Sequence, residues 1–128
     1  MFGRWSKNTA IEETRLDPGE ISINVTPGSN ELTIAISVRI TVDSSPNLRS
    51  VLLEVLRKDA VPVVYIDFSG VSYLDISGLA TLLEALKAAR EHSVKLRVIG
   101  ISGEARTLAE LTQLDTIFRT WGSEVEFR

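Results

Sequence analysis

Apolar and polar residues alternate with a period of two from Ile21, where Ile21, Ile23 and Val25 interleave with Ser22 and Asn24, the rhythm of a strand with one buried face. Pro27-Gly28-Ser29-Asn30 turns the chain. Leu32, Ile34, Ile36, Val38 and Ile40 then alternate with Thr33, Ala35, Ser37, Arg39 and Thr41, so the two runs are expected to pair as a hairpin. Asp43-Ser44-Ser45-Pro46 reads as a helix start, with an oxygen available to cap and a proline suited to the first turn. The helix is expected to run to about Lys58, with Leu48, Val51, Leu52, Val55 and Leu56 on one face.

Val61 to Ile66 is a continuous apolar run, the pattern of a strand covered on both sides. A loop is expected over Asp67–Ser77, followed by a helix whose apolar stripe is Leu79, Leu82, Leu83, Leu86 and Ala89. Val94 to Ile99 reads as the next strand. Residues 103–114 read as a third helix with Ala105, Leu108, Ala109 and Leu111 inward, and Ile117-Phe118 as a last short strand. Residues 122–128 fit either a helical turn, because Ser123 and Glu126 have capping-box spacing, or a terminal strand. The order β-β-α-β-α-β-α-β, with right-handed crossovers, predicts an α/β sandwich with a mixed sheet of about five strands, the parallel ones linked by helices. Sites in such sheets form beyond the carboxyl ends of the strands, which directs attention to Thr41–Ser45 and Asp67–Ser77.

Composition narrows the chemistry. At 128 residues and 44% hydrophobic content the chain has material for one core and no room for a second domain. Residues 1–18, which close on Asp17-Pro18-Gly19, lack periodicity and are expected to be a flexible arm, leaving 19–128 as the domain. A net charge of -3 argues against a direct nucleic-acid partner. The absence of cysteine removes disulfides, thiolate metal sites and a Cys nucleophile, and one histidine leaves too few ligands for zinc, so no metal or cofactor is expected. Apolar runs are too short for a membrane span, and MFGRWSKNTA lacks the apolar stretch of a signal peptide, so a cytoplasmic location is the expectation. The composition is compatible with a homodimer.

The constellation that carries chemistry is Asp75-Ile76-Ser77-Gly78, where a loop becomes a helix. Free N–H groups and the positive end of the helix dipole favour negative charge on Ser77, and Gly78 leaves the first turn open to close approach. An ordinary N-cap uses the same residue types, and spacing alone favours that plainer role. Catalysis is not expected: Asp67 and Asp75 lack an accompanying nucleophile and base, and His92 falls at a helix end away from the functional loops. Glu84 with Lys87 and Lys87 with Glu91 have the spacing of helix ion pairs.

The run from Val64 through Asp67-Phe68-Ser69-Gly70-Val71-Ser72-Tyr73-Leu74-Asp75-Ile76-Ser77-Gly78-Leu79-Ala80-Thr81 to Leu82 resembles the central motif of STAS domains, the family of bacterial anti-sigma-factor antagonists. Weaker likeness extends from about Glu20 to Trp121. The resemblance implies a STAS-like fold and a non-catalytic protein-binding switch in transcription regulation. Its partners would be an anti-sigma factor that is also a GHKL-type serine kinase and a PP2C-type phosphatase. It implies phosphorylation at Ser77 and a partner-binding face of Thr41, Asp43, Ser44, Asp75, Ile76, Ser77, Gly78, Leu79 and Thr81. Family members commonly carry an acidic residue at the end of strand two. Here the aligned position is Thr41, with Asp43 two residues on. A second role open to such domains is that of a subunit or scaffold in an ABC lipid-transport system or signalling assembly, without a phosphorylation cycle.

Overall fold

A computed structural model of the chain describes residues 22–58 and 61–128. The arm expected over 1–18, Trp5 within it and Ile21 of the first strand lie outside the described residues. Among the described residues five strands form one sheet in the order β1-β2-β3-β4-β5: β1 (Ser22–Pro27), β2 (Glu31–Ile40), β3 (Val63–Leu74), β4 (Lys95–Ile101) and β5 (Glu124–Phe127). The β1–β2 hairpin is antiparallel and every other neighbour is parallel, which is the mixed five-stranded sheet that the alternation of elements predicts.

Helices α1 (Ser45–Lys58), α2 (Ile76–Glu91), α3 (Gly103–Leu111) and α4 (Leu114–Thr120) fill the crossovers. Strand order advances in one direction from β2 to β5, so right-handed connections lay the crossover helices on the same face. Their stripes meet Ile34, Ile66, Leu96 and Val98 of the sheet in a single core with Leu48, Leu52, Leu82 and Leu86. The predicted inward faces of α1 and α2 are buried, with Leu83 half-buried at the margin.

The sheet departs from the sequence reading in two places. The stretch read as a loop from Asp67 is strand as far as Leu74, paired with β2 up to Ile40↔Leu74. Between Ala35↔Asp67 and Ser37↔Gly70 the partner advances two residues while β3 advances three, and a second extra residue enters before Arg39↔Tyr73. The alternation that buries Val64, Ile66 and Phe68 gives way beyond the first bulge to a spacing of three that buries Val71 and Leu74, so the strand signal fades while the strand continues.

Ile117-Phe118 lies on α4 instead of a last strand. Leu114 and Phe118 are four residues apart and both fully buried, which is helical spacing. The terminal strand is β5, and Ser123 serves the sheet: its buried Oγ accepts from the N–H of Leu96 at 2.9 Å. Two smaller expectations also change. Leu111, read as inward, is 78% exposed because α3 ends there. Glu84 pairs with Arg49 on α1 at 2.8 Å, tying the first two helices together.

Candidate functional site

At the carboxyl ends of β2 and β3 the chain makes two adjacent departures, one into α1 and one into α2, and the site lies between them. Asp75 follows directly on β3, its N–H donating to the carbonyl of Ile40 at 3.0 Å, so the sheet ladder itself sets the carboxylate beside the end of β2. Its extended backbone makes it the N-cap of α2. Oδ1 accepts from Ser77 N at 2.9 Å, Gly78 N at 3.2 Å and the Ser77 hydroxyl at 2.6 Å. Oδ2 accepts from Val42 N at 3.2 Å, which joins the 41–45 turn to the start of α2. Burial pushes the Asp75 pKa up, but hydrogen bonds from the Ser77 hydroxyl and from the N–H groups of Gly78, Ser77 and Val42 outweigh it, and the net shift is downward. The carboxylate is therefore ionised at neutral pH.

Ser77 is half-buried and its oxygen is held on two sides: it donates to Asp75 and accepts from the Ser45 hydroxyl at 3.2 Å. Thr81 Oγ1 donates to the Ser77 carbonyl one turn on. The 41–45 turn is fastened from below by Ser44, whose Oγ accepts from Thr41 N at 2.9 Å and donates to the carbonyl of Arg39 at 2.9 Å. Thr41 Oγ1 accepts from Asp43 N, leaving the Asp43 side chain exposed.

The nine residues expected at the partner-binding face thus divide into two groups. Thr41, Asp43, Asp75, Ile76 and Ser77 reach the surface. Ser44, Gly78, Leu79 and Thr81 are buried and build the site from beneath. Gly78 in particular is small for an internal reason: a Cβ there would stand 2.4 Å from Leu74 Cδ1 and 2.6 Å from Ile40 Cγ2, so its bare backbone lets α2 close on the ends of β2 and β3. Val42 lies within the Thr41–Ser45 segment to which the sequence directs attention, but is not among the residues singled out there. It is 67% exposed and Ile76 is 64% exposed, so each of the two segments that Asp75 joins carries one exposed apolar side chain. The available signal was a β-branched residue in a turn otherwise made of Thr, Asp and Ser.

His92 caps the far end of α2, with Nδ1 2.9 Å from the Ala88 carbonyl. Among the described residues no His, Asp and Glu side chains gather in a group that would hold a metal, and no helix is long and apolar enough to cross a membrane.

The mixed sheet and the helices that cross over it are shared with known proteins. The family model of the STAS domain matches residues 20–126. The chain belongs to the STAS domain family. This STAS domain is 29% identical over 107 residues to an anti-sigma-B factor antagonist of Staphylococcus aureus, covering 83% of this chain and 98% of that protein. Its fold is that of an anti-sigma factor antagonist from Mycobacterium paratuberculosis, with a TM-score of 0.72 at 24% identity over 80% of this chain and 86% of that one. Unphosphorylated SpoIIAA, also an anti-sigma factor antagonist, has the same fold, with a TM-score of 0.58 at 15% identity over 79% and 99% of the two chains. No enzyme family is indicated by these relatives.

Proposed function

We propose that this STAS domain is an anti-sigma-factor antagonist, a non-catalytic switch that docks on an anti-sigma serine kinase of the GHKL type and is turned off by phosphorylation of Ser77. The observation that carries the reading is a half-buried hydroxyl 2.6 Å from an ionised carboxylate, on segments that also expose the apolar side chains of Val42 and Ile76. Val42 and Ile76 supply area that gains from burial in a partner, about 25 cal/mol per Å². The unmodified serine fits within that contact. In the off step Ser77 Oγ takes the γ-phosphoryl group of the kinase's ATP, the hydroxyl proton leaves by way of Asp75, and ADP departs. The phosphate brings about -1.5 to -2 charge into a surface that must shed water on docking, beside the Asp75 carboxylate. Repulsion and desolvation at the contact then release the kinase without a change of fold, and a loss of about 3 kcal/mol is roughly a hundredfold in affinity. A PP2C-type phosphatase resets the switch.

The test is binding of the cognate kinase by calorimetry or surface plasmon resonance. Ser77→Ala should bind as wild type does and resist inactivation by kinase and ATP, and Ser77→Asp should bind at least tenfold more weakly. Equal binding and equal response to ATP in all three proteins would overturn the reading. Thr41, in place of the acidic residue common at the end of strand two in the family, favours the second reading of a constitutive docking subunit in a transport or signalling assembly. In that case the chain co-purifies with a transporter ATPase, and Ser77→Asp leaves the association unchanged.

A further inference from the structure

The tetrapeptide Asp67-Phe68-Ser69-Gly70 repeats the pattern of Asp75-Ile76-Ser77-Gly78 eight residues earlier in the chain. The repeat is also geometric. In each, Oδ1 of the aspartate accepts from the serine N–H at 2.9 Å and from the serine hydroxyl at 2.6 Å. Ser69 is the more accessible of the two, exposed where Ser77 is half-buried. Pairing of β3 with β4 ends at Asp67↔Ile99, so Ser69 stands beyond the last rung and its N–H goes to the Asp67 side chain instead of a neighbouring strand.

What surrounds the second hydroxyl differs in charge. Arg128 Nη2 donates to Ser69 Oγ at 3.4 Å. That arginine is held at both ends of its backbone, its N–H donating to the Ile101 carbonyl at 2.9 Å and its carbonyl accepting from Arg106 Nη1 at 2.7 Å. Gly100, at φ +79°, lies against the turn, and a Cβ there would stand 2.5 Å from Ser69 Oγ. The hydroxyl is thus presented between bare backbone and a guanidinium already pointed at it.

We propose that Ser69 is a second phosphoacceptor of this chain, modified by a protein serine/threonine kinase, with Arg128 receiving the phosphate. Ser69 Oγ attacks the γ-phosphorus of a nucleoside triphosphate held by the kinase. The Oγ–P bond forms as the bond from that phosphorus to the β–γ bridging oxygen breaks. The hydroxyl proton passes to the Asp67 carboxylate and on to water, and the nucleoside diphosphate departs. The new dianion meets a planar donor that matches its oxygens, in contrast to Ser77, where the added charge lies beside Asp75. Phosphorylation here ties the residue after β5 to β3 and strengthens that edge of the sheet. The proposal stands on the Asp67 turn and is independent of the role of Ser77.

The test uses the full chain expressed in its own bacterium as wild type, Ser77→Ala and Ser69→Ala, purified across growth and stress. Chymotrypsin cuts after Phe68 and Tyr73 and so separates the two serines, and fragment ions distinguish Ser69 from Ser72. Phosphate on Ser69 in wild type and in Ser77→Ala, lost in Ser69→Ala, is the expected result. Failure to find it on Ser69 in either of the first two, whatever happens at Ser77, overturns the proposal. A chain with phosphoserine installed at position 69 tests the receiver: by phosphorus NMR titration its second ionisation should move to higher pH in Arg128→Ala, and an unchanged titration removes Arg128 from the proposal.

Discussion

The two Asp-x-Ser-Gly turns share three of four residues and the same two hydrogen-bond lengths, yet their second residues have opposite fates: Phe68 is 1% exposed and Ile76 is 64% exposed. Asp67 begins its turn inside the strand, where the alternation that buries Val64 and Ile66 puts the next side chain into the core. Asp75 begins its turn where the strand stops, and the next side chain falls on the first, outward turn of a helix. A short polar motif therefore fixes how a hydroxyl is held, and the path of the chain around it decides what a partner meets. The sharpest test is truncation of the two second residues. Phe68→Ala should cost about 3–5 kcal/mol of unfolding free energy, the range for a large buried aromatic. Ile76→Ala should stay within about 0.5 kcal/mol of wild type. Urea denaturation measures both, and similar losses would mean that the two turns do not differ in the way described.

The glycines sharpen the same contrast at smaller amplitude. A Cβ on Gly78 would meet Leu74 Cδ1 at 2.4 Å and Ile40 Cγ2 at 2.6 Å, both on buried side chains in the core. A Cβ on Gly70 would meet chiefly the Ser37 hydroxyl, at 2.8 Å. That hydroxyl can rotate away. Overpacking at Gly78→Ala should cost about 1–3 kcal/mol, reduced by the roughly 1 kcal/mol that alanine gains over glycine in a helix. Gly70→Ala should change stability by less than about 1 kcal/mol, because the gain from a stiffer unfolded chain offsets the local adjustment. The pair of urea midpoints decides it, and Gly70→Ala as the more damaging change would break the assignment of Gly78 to the helix–sheet contact.

Much of this was legible before any coordinates. The hairpin, α1, α2 and the parallel β3 and β4 follow from side-chain spacing, since long elements with one buried face repeat their pattern often enough to be read. The helix start at Asp75-Ile76-Ser77-Gly78 was legible too, because an N-cap is a local property. What escaped was set by partners distant in sequence. The two extra residues in β3 are visible only against β2, so Asp67–Leu74 looked like a loop. Ile117-Phe118 looked like a strand because two apolar neighbours carry no period, and only the burial of Leu114 and Phe118 together reveals the helix. The inward role of Gly78 depends on Ile40, which the sheet brings beside it.

The smallest effect concerns the carboxylates and is read through pH. Asp75 caps a helix and accepts from four groups on two segments of chain, whereas the Oδ1 of Asp67 accepts from Ser69 alone. Replacing the cap, Asp75→Ala should cost about 1 kcal/mol, and Asp67→Ala less. The folded-state pKa of Asp75 lies below its ordinary value, because the donors outweigh the burial that opposes them. Its ionised form therefore adds stability that is complete above the unfolded-chain pKa of about 3.9, and that stability is lost as pH falls through the lower folded-state value. Asp75→Asn keeps an acceptor at the cap but cannot ionise. Its deficit against wild type should be constant from neutral pH down to about pH 5 and should shrink below about pH 4. Chemical denaturation at a series of pH values follows the gap directly. A deficit that stays the same to pH 3 would mean that the Ser77, Gly78 and Val42 donors do not favour the charged form, and the two turns would then differ in packing alone.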